Sequence, residues 1–449
     1  MKVFDPNQLK MYRYCCSTSN PLLFVDMRMG KSLVTIRWIK TIIDSGLVLI
    51  TCPYSGLFGW KEELEAEGET DIILAIGGKD ARISIAHRLI FNVTTNIKWV
   101  LTNPEFHRSS AEIIRRPYKV WVADEATYLQ NHKSKTAQFY YKHTGHIQYK
   151  AGLTGTPATE GEHQYYMLCK IIEQHSFIEG SFYQFLGANF GKLPNHAYLT
   201  NARGSKYIAG RLAQYALFMN RKDLGVGGKI DRIKRFSSMD KINKVYKKAE
   251  KEFILEITEE NIYEETIWAT KKWLWLRRLC SGIIDNIVVD STKLDDLRDM
   301  IISELSGQRI LIWAVYHEEV DFIHKWLSPH FKIEKIDGRV PPLQREQRRQ
   351  SFMKGESDIV VCNPYALRFG ADFSMAETVI YFSLPVSGLT YAQSEARPIS
   401  IRLNNDILMI YMMREKSVEI NIYNSVLKKE DRRSIIRNVV NGIKERVSL

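Results

Sequence analysis

No uncharged apolar run in this chain of 449 residues approaches the roughly 18 needed to cross a bilayer, so a transmembrane helix is excluded. The first ten residues carry Lys2, Asp5 and Lys10 and lack the apolar block of a secretory signal. Cysteine is scarce: Cys15, Cys16, Cys52, Cys169, Cys280 and Cys362 form no C-x-x-C pair, and no histidine stands at ligand spacing from them. That removes a disulfide framework and a zinc site, and leaves reduced thiols in a cytoplasmic protein as the expectation. With 26 Gly and 13 Pro, collagen-like and low-complexity readings also fail. No repeat at solenoid spacing is present. Acidic residues are outnumbered, 51 against 63 Lys and Arg, for a net charge of +12. A polyanionic partner is favoured, nucleic acid before membrane surface.

What is present is a rhythm of short β-branched strands and amphipathic helices. Apolar runs at 22–25, 47–52, 71–76, 98–102, 119–123 and 148–153 read as strands buried on both faces, as in a parallel sheet. A helix is expected over 32–43 between the first two. Between 161 and 290 strand signals thin out and charged, aromatic-studded helical stretches at 241–255 and 264–279 take over. Strand–helix alternation returns at 309–314, 332–336, 358–362, 378–382 and 407–412. The expected architecture is α/β: two doubly wound parallel-sheet lobes, 1–160 and 291–449, separated by a mostly helical insertion and linker at 161–290, with a cleft between the lobes. Ligands of such sheets gather at the carboxyl ends of the strands.

Three segments carry chemistry. Leu22 to Val25 lead through Asp26, Met27, Arg28 and Met29 into Gly30-Lys31-Ser32, a strand, a tight loop and a helix start. A phosphate there meets unpaired backbone N–H groups and the positive end of the helix dipole. Lys31 can reach β- and γ-phosphates and the Ser32 hydroxyl can ligate Mg²⁺. An ordinary helix start would look similar, and the P-loop pattern asks for Gly where Val25 stands. Second, Val120 to Ala123 end in Asp124-Glu125. Adjacent carboxylates at the end of a buried strand suit one that holds hydrated Mg²⁺ and one that polarises an attacking water; a pair of surface acids capping a helix is the alternative. Third, Ala151-Gly152-Leu153 runs into Thr154-Gly155-Thr156-Pro157, informative chiefly through its order after the other two.

In this order the segments resemble motifs I, II and III of superfamily 2 helicases, most nearly the Swi/Snf-type branch, including compact members carried by bacteriophages. Ile50-Thr51-Cys52-Pro53 with Trp60-Lys61-Glu62-Glu63 resembles motif Ia and its helix, and Leu101-Thr102-Asn103 resembles Ib. Tyr128-Leu129-Gln130-Asn131 and Ser134 resemble the stretch that follows motif II in that branch. Ile310–Val315 is similar to motif IV, Asp337-Gly338 to the D-G after the next strand, Gly370-Ala371-Asp372 to motif V, and Gln393–Arg397 to the start of motif VI. Gln8 sits where the family's adenine-reading glutamine sits. The resemblance spans nearly the whole chain outside 161–290.

The resemblance implies two RecA-like lobes and an ATP- and Mg²⁺-using, DNA-dependent ATPase. Gln8, Met27, Arg28, Met29, Gly30, Lys31, Ser32, Gly370 and Asp372 would bind ATP, with Ser32 and Asp124 on Mg²⁺ and Glu125 orienting water. Thr154, Gly155, Thr156 and Gln393 would couple hydrolysis to movement. Pro53, Thr102, Asn103 and Arg368 would touch DNA. Motif VI departs from the pattern, because Ser400 stands at the second arginine position and Arg402 lies two residues on. Arg397 and Arg402 together are the expected replacement pair. Lys244, Lys247 and Lys248 belong to a basic stretch in the insertion that is either a DNA-gripping surface or a solvated helix face. Trp268, Trp273 and Trp275 read as core before base-stacking platforms, and Arg277 and Arg278 suit phosphate or linker ion pairs equally. The expected action is sequence-independent translocation by a monomer that remodels forked or four-way DNA. A translocase that strips proteins from duplex, or an ATP-gated nucleic-acid clamp, are the alternatives.

Overall fold

The computed structural model describes residues 3–428 except 28, 91–94, 105–110, 159–160, 174–179, 193–197, 201, 221–227, 260–266, 368–370 and 400–405. Arg28, Arg368, Gly370, Ser400 and Arg402 therefore lie outside the described residues. The chain divides into two units, Met1–Val226 and Gly227–Leu449.

In the first unit, strands β1 (Leu22–Val25), β2 (Gly46–Thr51), β3 (Ile72–Leu74), β4 (Ile97–Thr102), β5 (Tyr118–Asp124) and β6 (Tyr149–Thr154) alternate with helices. A small antiparallel pair, β7 (Phe190–Lys192) and β8 (Tyr198–Thr200), precedes β9 (Ala216–Met219). The main sheet has the order β3-β4-β2-β5-β6-β1-β9, and every pairing in it is parallel. Four consecutive residues of β1 are buried, as are all six of β4, because helices cover both faces. One face packs Leu22, Phe24, Leu49 and Trp121 against Leu168, Phe185, Ile208 and Leu212. Helices Tyr165–Glu173, Phe182–Asn189 and Ala202–Tyr215 thus complete the core of the first unit, and β9 extends its sheet beside β1.

The second unit has β10 (Ile230–Ser237), a short hairpin of β11 (Ile283–Ile284) and β12 (Ile287–Val288), then β13 (Ile310–Trp313), β14 (Ile333–Ile336), β15 (Ile359–Cys362), β16 (Thr378–Tyr381) and β17 (Ile407–Arg414). Its sheet runs β10-β17-β16-β13-β15-β14, again all parallel. Side chains alternate between faces with period two. Leu311, Trp313, Val360, Val379, Tyr381 and Tyr411 accordingly enter one core, and Ile310, Ile312, Ile359, Val361, Ile380 and Met412 the other. Tyr246, Trp273, Leu276 and Leu279, from helices Asn243–Glu259 and Ile267–Ser281, join the first of these cores. The stretch expected as a mostly helical insertion and linker contributes β9 and its helices to one unit and β10 with the two long helices to the other. Among the described residues no helix is long and apolar enough to cross a membrane.

Candidate functional site

In the first sheet β4, β2, β5, β6 and β1 are consecutive neighbours, and being parallel they present their carboxyl ends along one edge. Thr102-Asn103, Cys52-Pro53, Asp124-Glu125, Thr154 to Thr156 and Asp26 to Ser32 follow those ends in that spatial order. Segments scattered over 130 residues of sequence are collected by topology alone.

Helix α1 (Pro6–Cys16) begins at Asp5, whose carboxylate accepts from the N–H groups of Asn7 and Gln8 at 2.9 Å. The Gln8 side-chain oxygen accepts in return from the Asp5 N–H at 3.2 Å. This capping box fixes the amide so that its nitrogen faces the loop after β1. A Cβ on Gly30 would stand 2.2 Å from that nitrogen, and Gly30 itself has φ +76°. Only glycine adopts this conformation without strain while admitting the Gln8 amide.

Helix α2 (Lys31–Ile42) starts at Gly30, which has no side chain to cap it, so the helix begins directly at the loop after β1. Lys31, 8% exposed, turns its Nζ back to the carbonyls of Val25 at 2.7 Å and Asp26 at 3.0 Å. Met29 is buried and Met27 and Ser32 partly exposed. A Cβ at Gly155 would meet the Met27 backbone nitrogen at 3.3 Å, so the loops after β1 and β6 lie against each other.

Asp124 is the electrostatic centre. Its Oδ2 accepts from the Trp60 indole at 2.8 Å and its Oδ1 from the Glu125 N–H at 2.9 Å. Burial pushes its carboxyl up from the ordinary range, while the Trp60 bond, the Lys31 charge and the Glu125 N–H draw it back. Glu125, 9% exposed, has φ +46°, a left-handed conformation that costs a non-glycine residue about 1–2 kcal/mol. Thr154 is fully buried and accepts through Oγ1 from the Thr156 N–H at 3.0 Å.

Two residues not singled out from the sequence support this site. Trp60, on helix α3 (Leu57–Ala66), holds Asp124 as described. Gln130 donates from Nε2 to the carbonyls of Thr156 at 2.9 Å and Pro157 at 2.8 Å, tying the segment after β5 to the loop after β6. Both lie inside stretches that carry the resemblance, the signal available in the sequence.

Along the β4–β2 half of the edge, Pro53 and Asn103 are partly exposed. Thr102 is fully buried, and its hydroxyl donates to the Ala75 carbonyl at 3.4 Å, which takes that side chain off the surface. In the second unit Asp372 accepts the Ser374 N–H at 2.9 Å, and the Arg397 carbonyl accepts the Phe373 N–H at 3.2 Å, bringing two motif segments together. Arg397 is 4% exposed, and Gln393, on helix Gly388–Ala396, is 1% exposed with neither amide atom hydrogen-bonded among the described residues. Lys244, Lys247 and Lys248 are exposed on helix Asn243–Glu259. Trp273 is core and Trp275 is 40% exposed. Arg277 is buried and donates to the Leu384 carbonyl at 2.6 Å, and Arg278 pairs with Asp285 at 3.3 Å.

Residues 8–274 match the SNF2-related domain and residues 292–402 the helicase conserved C-terminal domain. The chain belongs to the SNF2-related family. This SNF2-related chain is 22% identical over 433 residues to chromodomain-helicase-DNA-binding protein 1-like of Mus musculus, covering 90% of the chain and 46% of that protein. It is 22% identical over 448 residues to SWI/SNF chromatin-remodeling complex subunit snf22 of Schizosaccharomyces pombe, covering 92% and 26%. The chain thus spans less than half the length of these curated relatives. A solved structure, the Sulfolobus solfataricus SWI2/SNF2 ATPase core in complex with dsDNA, is 16% identical with a TM-score of 0.45, covering 100% of this chain and 95% of that one. The two matched domains are those of a superfamily 2 ATPase core.

Proposed function

We propose that this SNF2-related chain is a DNA-dependent ATPase that translocates on DNA and remodels branched substrates, regressing forks or migrating four-way junctions as the resemblance to compact bacteriophage members implies. One observation carries the reading: Lys31, Asp124-Glu125 and the Thr154–Thr156 loop, far apart in sequence, meet on one sheet edge where an uncapped helix start faces them.

The donor set fits a nucleotide with Mg²⁺. The amino end of α2 and the Lys31 ammonium suit phosphate oxygens. Each Asp124 oxygen has one protein donor, which leaves lone pairs for a hydrated cation, with the Ser32 hydroxyl beside it in sequence. Bound there, Mg²⁺ supplies neutralisation of phosphate charge. Lys31 would leave the carbonyls of Val25 and Asp26 for phosphate, Glu125 would orient the attacking water, and Gln8 would read the base. Arg397, with Arg402, is assigned to charge developing in the transition state, and Pro53, Asn103 and Lys244 to the DNA backbone. Such contacts are largely independent of sequence.

The test is ATP turnover measured with single-stranded, duplex, forked and four-way DNA, with RNA as control. Strongest stimulation by forked or four-way DNA is expected. Stimulation by plain duplex alone, with displacement of a protein roadblock, would favour a stripping translocase instead. Turnover that ignores DNA would sink the proposal. Lys31→Ala should abolish turnover and leave DNA binding intact, since a charged hydrogen bond to phosphate is worth about 1.5–3 kcal/mol.

A further inference from the structure

At the edge of the first sheet opposite the nucleotide motifs, an open pocket of about 310 Å³ is lined by Arg115, Lys142, His143, Gly145 and His146. Arg115 follows helix Ala111–Ile114 and precedes β5. Lys142 and His143 close helix Lys135–His143, and Gly145 and His146 form the turn that leads into β6. The amino ends of β5 and β6 therefore carry four basic side chains around one concavity.

Cations at the last turn of a helix are ordinarily explained by its dipole, and that accounts for Lys142 and His143. It does not account for Arg115 and His146, which reach the same pocket from other segments. Among the described residues none of the four forms an ion pair with a carboxylate. Burial, and after it the neighbouring Arg115, Lys142 and His146 side chains, hold the His143 imidazole below the ordinary range. The rings are also positioned. His143 packs on Phe139 with centroids 4.6 Å apart, and His146 Nε2 lies 3.4 Å from the Arg116 carbonyl.

We propose that this pocket is an anion site for a phosphate group, separate from the nucleotide site on the same unit. The Arg115 guanidinium, the Lys142 ammonium and the His143 imidazole offer several N–H donors around one pocket, and His146 adds its other ring nitrogen when protonated, the pattern a tetrahedral oxyanion with many acceptors satisfies. Its volume suits one phosphate or a short phosphate chain, carried on a small molecule or protruding from a nucleic-acid backbone. An anion there relieves the like-charge crowding and favours the protonated imidazole of His143.

The experiment uses the full chain with histidines labelled for NMR, in a Lys31→Ala background that removes the other phosphate site. Inorganic phosphate is titrated against chloride at equal ionic strength. The His143 and His146 resonances should shift saturably with phosphate only, and His143 should titrate at higher pH when phosphate is bound. Arg115→Glu with Lys142→Glu should weaken the response at least about tenfold, since each removes a charged hydrogen bond. Both side chains are exposed, and unchanged dispersion of the remaining histidine signals reports an intact fold. A second arm uses a short DNA duplex in phosphate-free buffer: the same shifts at lower concentration assign the site to backbone phosphate, and no shifts assign it to a free phosphate compound. Shifts reproduced by chloride, or retained in the doubly reversed variant, would overturn the site and return these residues to a solvated helix end.

Discussion

The indole of Trp60 donates a 2.8 Å hydrogen bond to Oδ2 of Asp124, so a residue of helix α3 sets the charge state of the residue assigned to the metal. Burial raises the Asp124 carboxyl, and this bond is the largest influence drawing it down. Trp60→Phe keeps the packing and deletes the donor, so the carboxyl should rise further. The acidic limb of the pH profile of ATP turnover should then move to higher pH, with little change at alkaline pH. A limb that stays in place would show that Asp124 ionisation does not limit turnover.

The same raised carboxyl has a stability consequence. The folded chain holds the Asp124 proton more tightly than the unfolded chain, so this contribution is complete below the ordinary carboxylate range and is lost as pH rises through the raised value. Ionised Asp124 is therefore a cost at neutral pH. Asp124→Asn should melt at the same or a higher temperature than the wild type at neutral pH, while ATP turnover falls by about 100-fold or more. A lower melting temperature at neutral pH, from thermal scans across acidic and neutral buffers, would contradict this account.

Gly30 and Gln8 should be coupled. Gly30→Ala forces a Cβ into the Gln8 amide and strains a left-handed residue, at about 1–2 kcal/mol for the backbone alone. Gln8→Ala in the same chain removes the collision and leaves the strain. The double variant should recover part of the stability lost by Gly30→Ala, though not the base contact assigned to Gln8. Strict additivity of the two substitutions in melting measurements would mean the side chains do not meet.

The strands of both sheets were legible because burial on two faces makes them apolar throughout: 22–25 is β1, and 98–102 and 378–382 differ from β4 and β16 by one residue at one end. β9 and β10 were not. Ile230–Ser237 reads Ile-Asp-Arg-Ile-Lys-Arg-Phe-Ser, and as an edge strand it exposes most of its side chains to water, so its charges mimic a helix or linker. What places it is the eight-residue register with β17, a long-range pairing without local signature. The same holds for the site. Lys31, Asp124 and Glu125 were visible as motifs. The Trp60–Asp124 bond joins residues 64 apart, and nothing in either segment alone announces it. The division between the two units, inside 161–290, was illegible for a related reason, since helices that finish two different cores look alike in sequence.

Gln130 should act through the loop it holds. Gln130→Ala leaves the carbonyls of Thr156 and Pro157 without their donor, at a cost of about 1–3 kcal/mol, and Gln130→Glu should behave alike because a carboxylate donates nothing. Amide exchange at 154–157 should quicken in both variants. Nucleotide binding should persist, and DNA stimulation of turnover should fall. Normal exchange with lost stimulation would detach the two effects and leave Gln130 a direct DNA contact.

Lys244, Lys247 and Lys248 decide whether the long helix of the second unit grips DNA. Ile242 and Tyr246 bury the inner side of this segment, and the three lysines point to solvent, so reversing their charge should leave the core untouched. Among the described residues their ion pair is Lys248 with Glu252 at 3.9 Å, which joins two exposed side chains and holds neither firmly. Each lysine that neutralises a DNA phosphate releases a counterion and contributes on the order of −0.9 to the log–log slope of affinity against salt. Reversing all three to Glu should flatten that slope by roughly 2–3 if all contact the backbone. The loss should be equal for DNAs of unrelated sequence, because phosphate contacts carry no sequence information. Weaker binding with an unchanged slope would indicate a general field effect, and no change in either would leave this face to the solvent.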